Sequence, residues 1–356
     1  MTAPQSNRAA VGHYDAFLLV SFGGPEGPEQ VLPFLDRVTA GRDVPPERLE
    51  SVAKIYFDRG GVSPINAHCR TLLRDLTKAF AAAGIDLPLY WANRNSPPFL
   101  EETISQMRDE GVKRVLAFVT SAYSSYSGCR QYRENIATAQ ERVGPGAPAI
   151  EKLRVFFNHP GFVEPLVDGL KSALDQIAPE AGDVDRADVH VLFTAHSIPT
   201  SMARGCAYQD QLRNAAQLVA ERVEGMPDWS LVWQSRSGPA AVPWLEPDIC
   251  DAIGQVEARG VVVVPLGFVA DHMEVIQDLD TEAAAAASAA GMAFVRVPTS
   301  SSDPRFVDMI VSLVGERIGG AKPVALGTIG LFPEQCAESC CLAPTRPKGP
   351  PGDQLL

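Results

Sequence analysis

No apolar run in this chain approaches the roughly 20 residues that a membrane-spanning helix needs. The longest, Val261 to Ala270, is interrupted by Pro265 and Gly267, so no integral membrane segment is expected. The opening residues, MTAPQSNRAAVGH, have no apolar signal core, which points to the cytoplasm. Basic residues are in the minority: 31 Lys and Arg stand against 43 Asp and Glu, for a net charge of -12. Binding to a nucleic-acid backbone requires clustered cations, so nucleic acid is excluded as the main partner, whereas a handler of cations fits. Cysteine is sparse as well, and 7 in 356 residues do not make a disulfide scaffold. Cys69 and Cys250 sit in apolar or helical contexts and read as core. Cys336, Cys340 and Cys341 do not, because they fall in a Gly/Pro-rich tail with no core to explain them.

What is present is an alternation. Hydrophobic residues make up 46% of the chain, and the length suits about two domains. Short apolar runs at Tyr14 to Phe22, Leu89 to Ala92 and Arg114 to Thr120 read as strands. Helical patterns separate them at Ala67 to Ala83 and Phe99 to Glu110. The plan then repeats, with strands at Lys152 to Phe157, Val189 to Ala195, Leu231 to Gln234, Val261 to Leu266 and Ala293 to Val297. Helices are expected at Gly161 to Ile177, Tyr208 to Val223, Ile249 to Arg259 and Phe306 to Ile318. Such alternation predicts an α/β protein of two similar doubly wound, Rossmann-like domains with parallel sheets facing a cleft. The expected division is 14–158, with helix 303–318 packing back on it, then 159–302, then a tail over 319–356.

Two stretches organise the rest, VLFTAHSIP at Val191 to Pro199 and PLGFVADHMEVIQDLDTE at Pro265 to Glu282. In each an apolar run stops at a histidine, His196 or His272, as a buried strand does when it delivers polar groups at its carboxyl end. Glu274, Asp278 and Glu282 then recur every four residues, which places them on one face if a helix continues. A solvated acidic face is the ordinary reading of such a row; its start beside Asp271 and His272 favours a cation path. The loop SAYSSYSGCRQYREN, with Ser124, Tyr126, Arg130 and Arg133, suits a flat aromatic ligand with carboxylate arms. A helix N-terminus with serine caps explains it nearly as well.

In order along the chain, SFGGP (Ser21 to Pro25), GGVSPIN (Gly60 to Asn66), FTAHSIP (Phe193 to Pro199), WQSRSGP (Trp233 to Pro239), PWLEPD (Pro243 to Asp248) and GFVADHMEV (Gly267 to Val275) resemble the ferrochelatases, specifically the actinobacterial coproporphyrin III ferrochelatases. The resemblance covers about Tyr14 to Ile318. It implies an enzyme, a lyase of haem biosynthesis that inserts Fe(II) into a porphyrin held between two Rossmann-like domains. It also implies His196 and Glu274 as the catalytic pair, with Asp278 and Glu282 continuing a metal-handling row. Phe22, Ser63, Arg94, Ser124, Tyr126 and Arg130 fall where the family contacts the macrocycle. Bacillus-group members carry a tyrosine where this chain has Phe22, which cannot ligate iron.

Two pyrrole N–H protons must leave as the metal enters, and an imidazole suits that task near neutral pH; His196 is the expected base, with Glu274 holding the ring or taking the proton onward. His272 reads as structural. The cysteine tail resembles the extension by which some ferrochelatases carry a 2Fe-2S cluster, which needs four thiolates. Cys336, Cys340 and Cys341 supply three, and the fourth is expected from Cys206, with Cys129 as the alternative. A zinc site or an unligated tail are the competing readings. Protoporphyrin IX is the competing substrate, a tetrapyrrole or iron carrier without chemistry the competing class, and an iron-sulfur sensor on the same scaffold a third. Haem-pathway enzymes are the partners such a protein would have.

Overall fold

The computed structural model describes residues 12–41, 44–180, 185–238 and 241–343. Two four-stranded parallel sheets form its frame. The first holds β1 (Ala16–Ser21), β2 (Leu89–Asn93), β3 (Arg114–Val119) and β4 (Ala149–Lys152) in the order β2-β1-β3-β4. The second holds β5 (Val189–His196), β6 (Trp229–Gln234), β7 (Gly260–Val264) and β8 (Ala293–Arg296) in the order β6-β5-β7-β8. The two orders are the same: the first strand of each half lies between its second and third, so the winding reverses beside β1 in one sheet and beside β5 in the other. Ligands of doubly wound sheets bind outside the carboxyl ends of the strands at that reversal.

The helices are α1 (Pro28–Thr39), α2 (Pro46–Phe57), α3 (Ile65–Ala82), α4 (Leu100–Asp109), α5 (Gln131–Val143), α6 (Pro160–Glu180), α7 (Thr200–Ala203), α8 (Tyr208–Ala220), α9 (Ile249–Ile253), α10 (Met273–Val275), α11 (Ala284–Ala289) and α12 (Pro304–Ile318). They cover both faces of the sheets, so β1 and β7 are buried along their whole length. Near-continuous apolar strands are what parallel sheets require. Helix α12 packs against α6 and also against α3, and one hydrophobic core runs from Phe17 and Phe118 through Phe306 to Val191 and Val264. Among the described residues no helix is long and apolar enough to cross a membrane.

Three expectations shift. The strand expected at Lys152 to Phe157 is β4, Ala149–Lys152, which pairs with Arg114 to Ala117 of β3. The apolar residues that suggested the later position, Phe156 and Phe157, are core without strand partners; Phe156 stacks on Phe118 with centroids 5.0 Å apart and meets Phe306 edge-on at 5.9 Å. The helix expected at Ile249 to Arg259 ends at Ile253. The described part of the tail is docked: Arg154 donates to the Val324 carbonyl at 2.8 Å, Asn158 to the Gly330 carbonyl at 2.9 Å, and Phe332 meets Phe157 edge-on at 5.5 Å.

Candidate functional site

His196 is the last residue of β5, and Glu274 follows β7, so the two issue from the neighbouring strands that flank the reversal of the second sheet. Their approach depends on a close backbone contact. Gly267 donates its N–H to the Thr194 carbonyl at 2.9 Å, and a Cβ there would stand 2.5 Å from that of Ala195. Only glycine lets the turn after β7 lie this tightly on β5. The chain then reaches His272, whose Nδ1 accepts the Glu274 N–H at 3.2 Å and caps the short helix α10. Burial holds the His272 ring below the usual histidine range, which keeps that nitrogen free to accept.

The His196 Nε2 atom stands 3.7 Å from Glu274 Oε2, with the side chains 32% and 51% exposed. That distance is too long for a hydrogen bond, and the exposure leaves both groups open to a ligand. The His196 Nδ1 atom faces the Ser197 carbonyl at 2.5 Å. A carbonyl only accepts, so Nδ1 carries the proton and, in the neutral ring, Nε2 presents its lone pair. The backbone of His196 is held by the Tyr208 hydroxyl, which donates to its carbonyl at 3.0 Å.

Beyond Glu274 the acidic row follows a helix of unusual form. Ile276–Ala283 is π-helical, between α10 and α11, rather than a continuous α-helix; such widened turns occur mostly at functional sites. Glu274, Asp278 and Glu282 remain close enough for the charges of the outer two to raise Asp278. Burial is the larger cause, and together they push the Asp278 carboxyl up to about 6. Gln234 at the end of β6 donates to Asp278 at 3.2 Å, and Ser235 donates to the same oxygen. Ser235 holds a left-handed backbone (φ 60), a cost that non-glycine residues bear mainly at functional sites. Thr194 fixes Gln234 in turn, donating to its amide oxygen at 3.0 Å. Among the described residues no three His, Cys, Asp or Glu side chains are arranged to hold a metal ion. Glu274, Asp278 and Glu282 are thus single oxygen donors in succession along this helix.

Arg296 anchors this helix from the far side. It donates to Asp271 at 3.0 Å and to Asp280 at 2.5 Å, and Thr299 donates to Asp271 at 3.1 Å. One guanidinium thus joins the turn before Glu274 to the helix after it. Sequence reading missed Arg296, Gln234, Thr194 and Ser235; only the position of Gln234 at a strand end could have drawn attention to it.

From the first sheet, Phe22 directly follows β1 and is 36% exposed. The turn beyond it is left-handed at Gly23 (φ 81), and Gly24 packs against buried Ser63. Phe22 meets Phe34 edge-on at 6.2 Å, and Phe34 meets Tyr56 at 5.9 Å. Met273, next to Glu274, belongs to the same cluster, and the Glu274 charge, after burial, raises the Tyr56 hydroxyl. The two sites of reversal are therefore joined through α1 and α2. Arg94 lies 5.6 Å over Phe22 and 4.5 Å over Tyr132, with hydrogen bonds to Asn135 at 2.7 Å and to the Ser127 carbonyl at 3.4 Å. Tyr126 donates to Glu134 at 3.1 Å.

Ser124 and Arg130 face elsewhere. Ser124 exchanges hydrogen bonds with Gln211 of α8 at 2.6 and 2.9 Å. Arg130 binds Glu134 at 2.7 Å and donates to the carbonyls of Cys340, at 3.1 Å, and Glu338. Both are committed to α8 or the tail instead of a ligand. Beside them a cavity of about 130 Å³ is lined by Cys129, Cys206, Cys336, Cys340 and Cys341, five of the seven cysteines. A wider depression of about 1140 Å³ between α4 and α5 includes Arg94 but neither His196 nor Glu274.

The family model described as Ferrochelatase matches residues 14–318. A ferrochelatase of Rhodopirellula baltica is 51% identical over 94% of this chain and 95% of its own length. The coproporphyrin III ferrochelatases of Streptomyces coelicolor and Frankia alni are 49% and 50% identical, covering 93% and 97% of this chain and 94% and 89% of theirs. Among solved structures, SirB from Bacillus subtilis with Fe3+ superposes with a TM-score of 0.52 at 11% identity over 86% of this chain and 97% of its own, a likeness of fold alone. With the six motifs in place and His196 beside Glu274 at the reversal of the second sheet, the chain belongs to the ferrochelatase family of metal-inserting lyases.

Proposed function

We propose that this protein inserts iron(II) into coproporphyrin III, and that His196, Glu274, Asp278 and Glu282 carry the reaction. The observation that supports it most is the pair of facing, half-open groups His196 Nε2 and Glu274 Oε2 at 3.7 Å. A free lone pair on Nε2 takes a pyrrole proton, and the Glu274 carboxylate stabilises the resulting imidazolium or passes the proton on. Both pyrrole protons leave as the cation enters, so charge balances. Iron(II) accepts imidazole and carboxylate donors, and the ionised forms of Asp278 and Glu282 attract it along the π-helix. Phe22 supplies an apolar face without a ligand for iron, and Arg94, Tyr126 and Ser63 complete the region assigned to the macrocycle.

The choice of coproporphyrin III over protoporphyrin IX rests on the relatives that bear the former name. Arg130, turned to the tail, no longer argues for extra propionates. A metalation assay with both porphyrins under one set of conditions tests the choice: faster insertion into coproporphyrin III is expected, and a preference for protoporphyrin IX overturns it. Stoichiometric porphyrin uptake with no metalation would make the protein a carrier. A two-lobed division at 158/159, with 303–318 returning to the first lobe, belongs to this reading; the contact of α12 with both α3 and α6 supports a bridging role for that helix. We read the site of action as cytoplasmic and the partners as enzymes of haem synthesis.

We further propose a 2Fe-2S cluster at the cysteine cavity. The donors present fit such a group: five cysteines line one cavity, and Lys152 lines the same wall. Thiolates are the donors iron-sulfur clusters take. When bound, the cluster supplies one-electron chemistry or structural cross-linking; the residues around it here fasten the tail to the body.

A further inference from the structure

The peptide unit that joins Leu266 to Gly267 is gripped on both sides. Its N–H donates to the Thr194 carbonyl of β5 at 2.9 Å, and its C=O accepts from the Tyr123 hydroxyl at 2.9 Å. In a trans peptide those two groups point in opposite directions, so β5 lies on one side of the turn and Tyr123 on the other. Tyr123 is not part of the second sheet. It follows β3 of the first, 143 positions before the carbonyl it meets.

The phenol oxygen cannot swing away from that carbonyl. Tyr123 is 2% exposed, and its ring is boxed by Phe157, Phe162 and Tyr208, with centroids 6.1 Å from each. Burial raises the hydroxyl well above the usual tyrosine range, so it stays a donor. The next residue is fixed as well. Ser124 and Gln211 of α8 exchange hydrogen bonds at 2.6 and 2.9 Å, and Gln211 is fully buried.

The supports of both reacting groups thereby meet one side chain. On β5, His196 is held by Tyr208, whose hydroxyl donates to its carbonyl at 3.0 Å and whose ring stands edge-on to that of Tyr123. After β7, the chain reaches Glu274 through the 266–267 turn and the His272 cap. Moving that turn on β5 moves Glu274 Oε2 relative to His196 Nε2, now 3.7 Å apart. Reaction geometry tolerates little displacement, and a shift of about 1 Å costs on the order of 10²-fold in rate. The Tyr123 oxygen is spent on Leu266, so its influence runs through the backbone.

We infer that Tyr123 is a positioning residue for metal insertion: its hydroxyl pins the Leu266–Gly267 peptide against β5 and so sets the approach of Glu274 to His196, with the Ser124–Gln211 pair holding the loop that carries it. The inference rests on His196 and Glu274 as the reacting pair. It gives the first sheet a part in placing two residues that issue from the second.

A double-mutant cycle on the full chain tests it, with Tyr123→Phe, Glu274→Gln and their combination measured by single-turnover iron(II) insertion into prebound porphyrin. Tyr123→Phe is expected to slow insertion between about 10- and 10²-fold, while porphyrin affinity, read from fluorescence quenching, holds. In the Glu274→Gln background the same substitution should cost less than about twofold, because the charge it places has gone. A side chain that merely stabilised the fold would cost the same factor in both. Insertion by Tyr123→Phe within about twofold of the wild type, or an equal loss in both backgrounds, overturns the inference, and a slow Glu274→Gln then leaves the reacting pair standing. Glu274→Gln inserting at the wild-type rate sinks the pair and this inference with it. If Tyr123→Phe melts below the assay temperature, Gln211→Met, which frees the same loop from α8, decides by the same cycle. A loss confined to the Glu274 background supports the inference, and an equal loss in both, or none, refutes it.

Discussion

His196 Nε2 and Glu274 Oε2 face each other across 3.7 Å with no hydrogen bond between them, and a proton on the imidazole turns that approach into an attraction of opposite charges. The ring is oriented by the Ser197 carbonyl, and the backbones of His196 and Glu274 are held by Tyr208 and by the His272 cap, so both residues are positioned by contacts other than their own pairing. Glu274→Gln therefore keeps the geometry and removes the charge that steadies the protonated ring. Turnover is expected to fall about 10²-fold with porphyrin affinity little changed, as measured by steady-state metalation and by quenching of porphyrin fluorescence.

Asp278 gives the row a pH dependence. Its carboxyl is raised by burial to about 6 in the folded chain against 3.8 for the unperturbed group. The sign is that of a group whose folded pKa is raised: its contribution is fully present below the unfolded value and is lost as pH rises through about 6. Urea unfolding should accordingly show the wild type losing about 1–3 kcal/mol relative to Asp278→Asn between pH 4 and pH 7. Metal capture runs the other way, because only the ionised form attracts the cation. Insertion at subsaturating iron should rise through about pH 6 in the wild type, with that limb flattened in the variant.

Arg296 ties Asp271 to Asp280 with its side chain only 15% exposed. Arg296→Ala leaves two half-buried carboxylates without their partner and should cost about 1–3 kcal/mol in urea unfolding. Because the clamp spans the turn before Glu274 and the π-helix after it, kcat should fall while KM for porphyrin holds. Arg296→Lys, lacking the planar fork, should restore only part of both.

The pair between Arg154 and Glu316 is almost wholly enclosed, at 2% and 1% side-chain exposure, with Arg154 also holding the tail at Val324. Removing one charge strands the other. Glu316→Gln is expected to destabilise by about 3–5 kcal/mol, whereas Arg154→Met with Glu316→Leu recovers most of that loss. Chemical denaturation of the two variants checks it.

Much of this architecture was legible in the chain because parallel strands buried on both faces write themselves as apolar runs. All eight expected strands exist, and seven lie within about two residues of their expected positions at both ends. The exception, β4, was misplaced because Phe156 and Phe157 carry the apolar signature of a strand while serving a core that joins both halves. His196 and Glu274 could be found because each follows such a run. Arg296 and Ser235 could not, since an arginine in a strand and a serine in a loop gain meaning only from the carboxylates that folding brings to them. Nor does a four-residue spacing distinguish an α-helix from a π-helix, as the same acidic residues fit both. Arg130 illustrates the converse, a residue whose composition suited a carboxylate ligand and whose partners are Glu134 on its own helix turn and the carbonyls of a tail 208 and 210 positions away.

The account stands on His196 as the base in metal insertion. A single-turnover experiment with His196→Ala, porphyrin prebound and iron(II) added anaerobically, reports binding and chemistry on the same sample. Porphyrin should bind within about threefold of the wild type while insertion slows by at least about 10²-fold. Insertion at a near-wild-type rate from a fully bound porphyrin would contradict it.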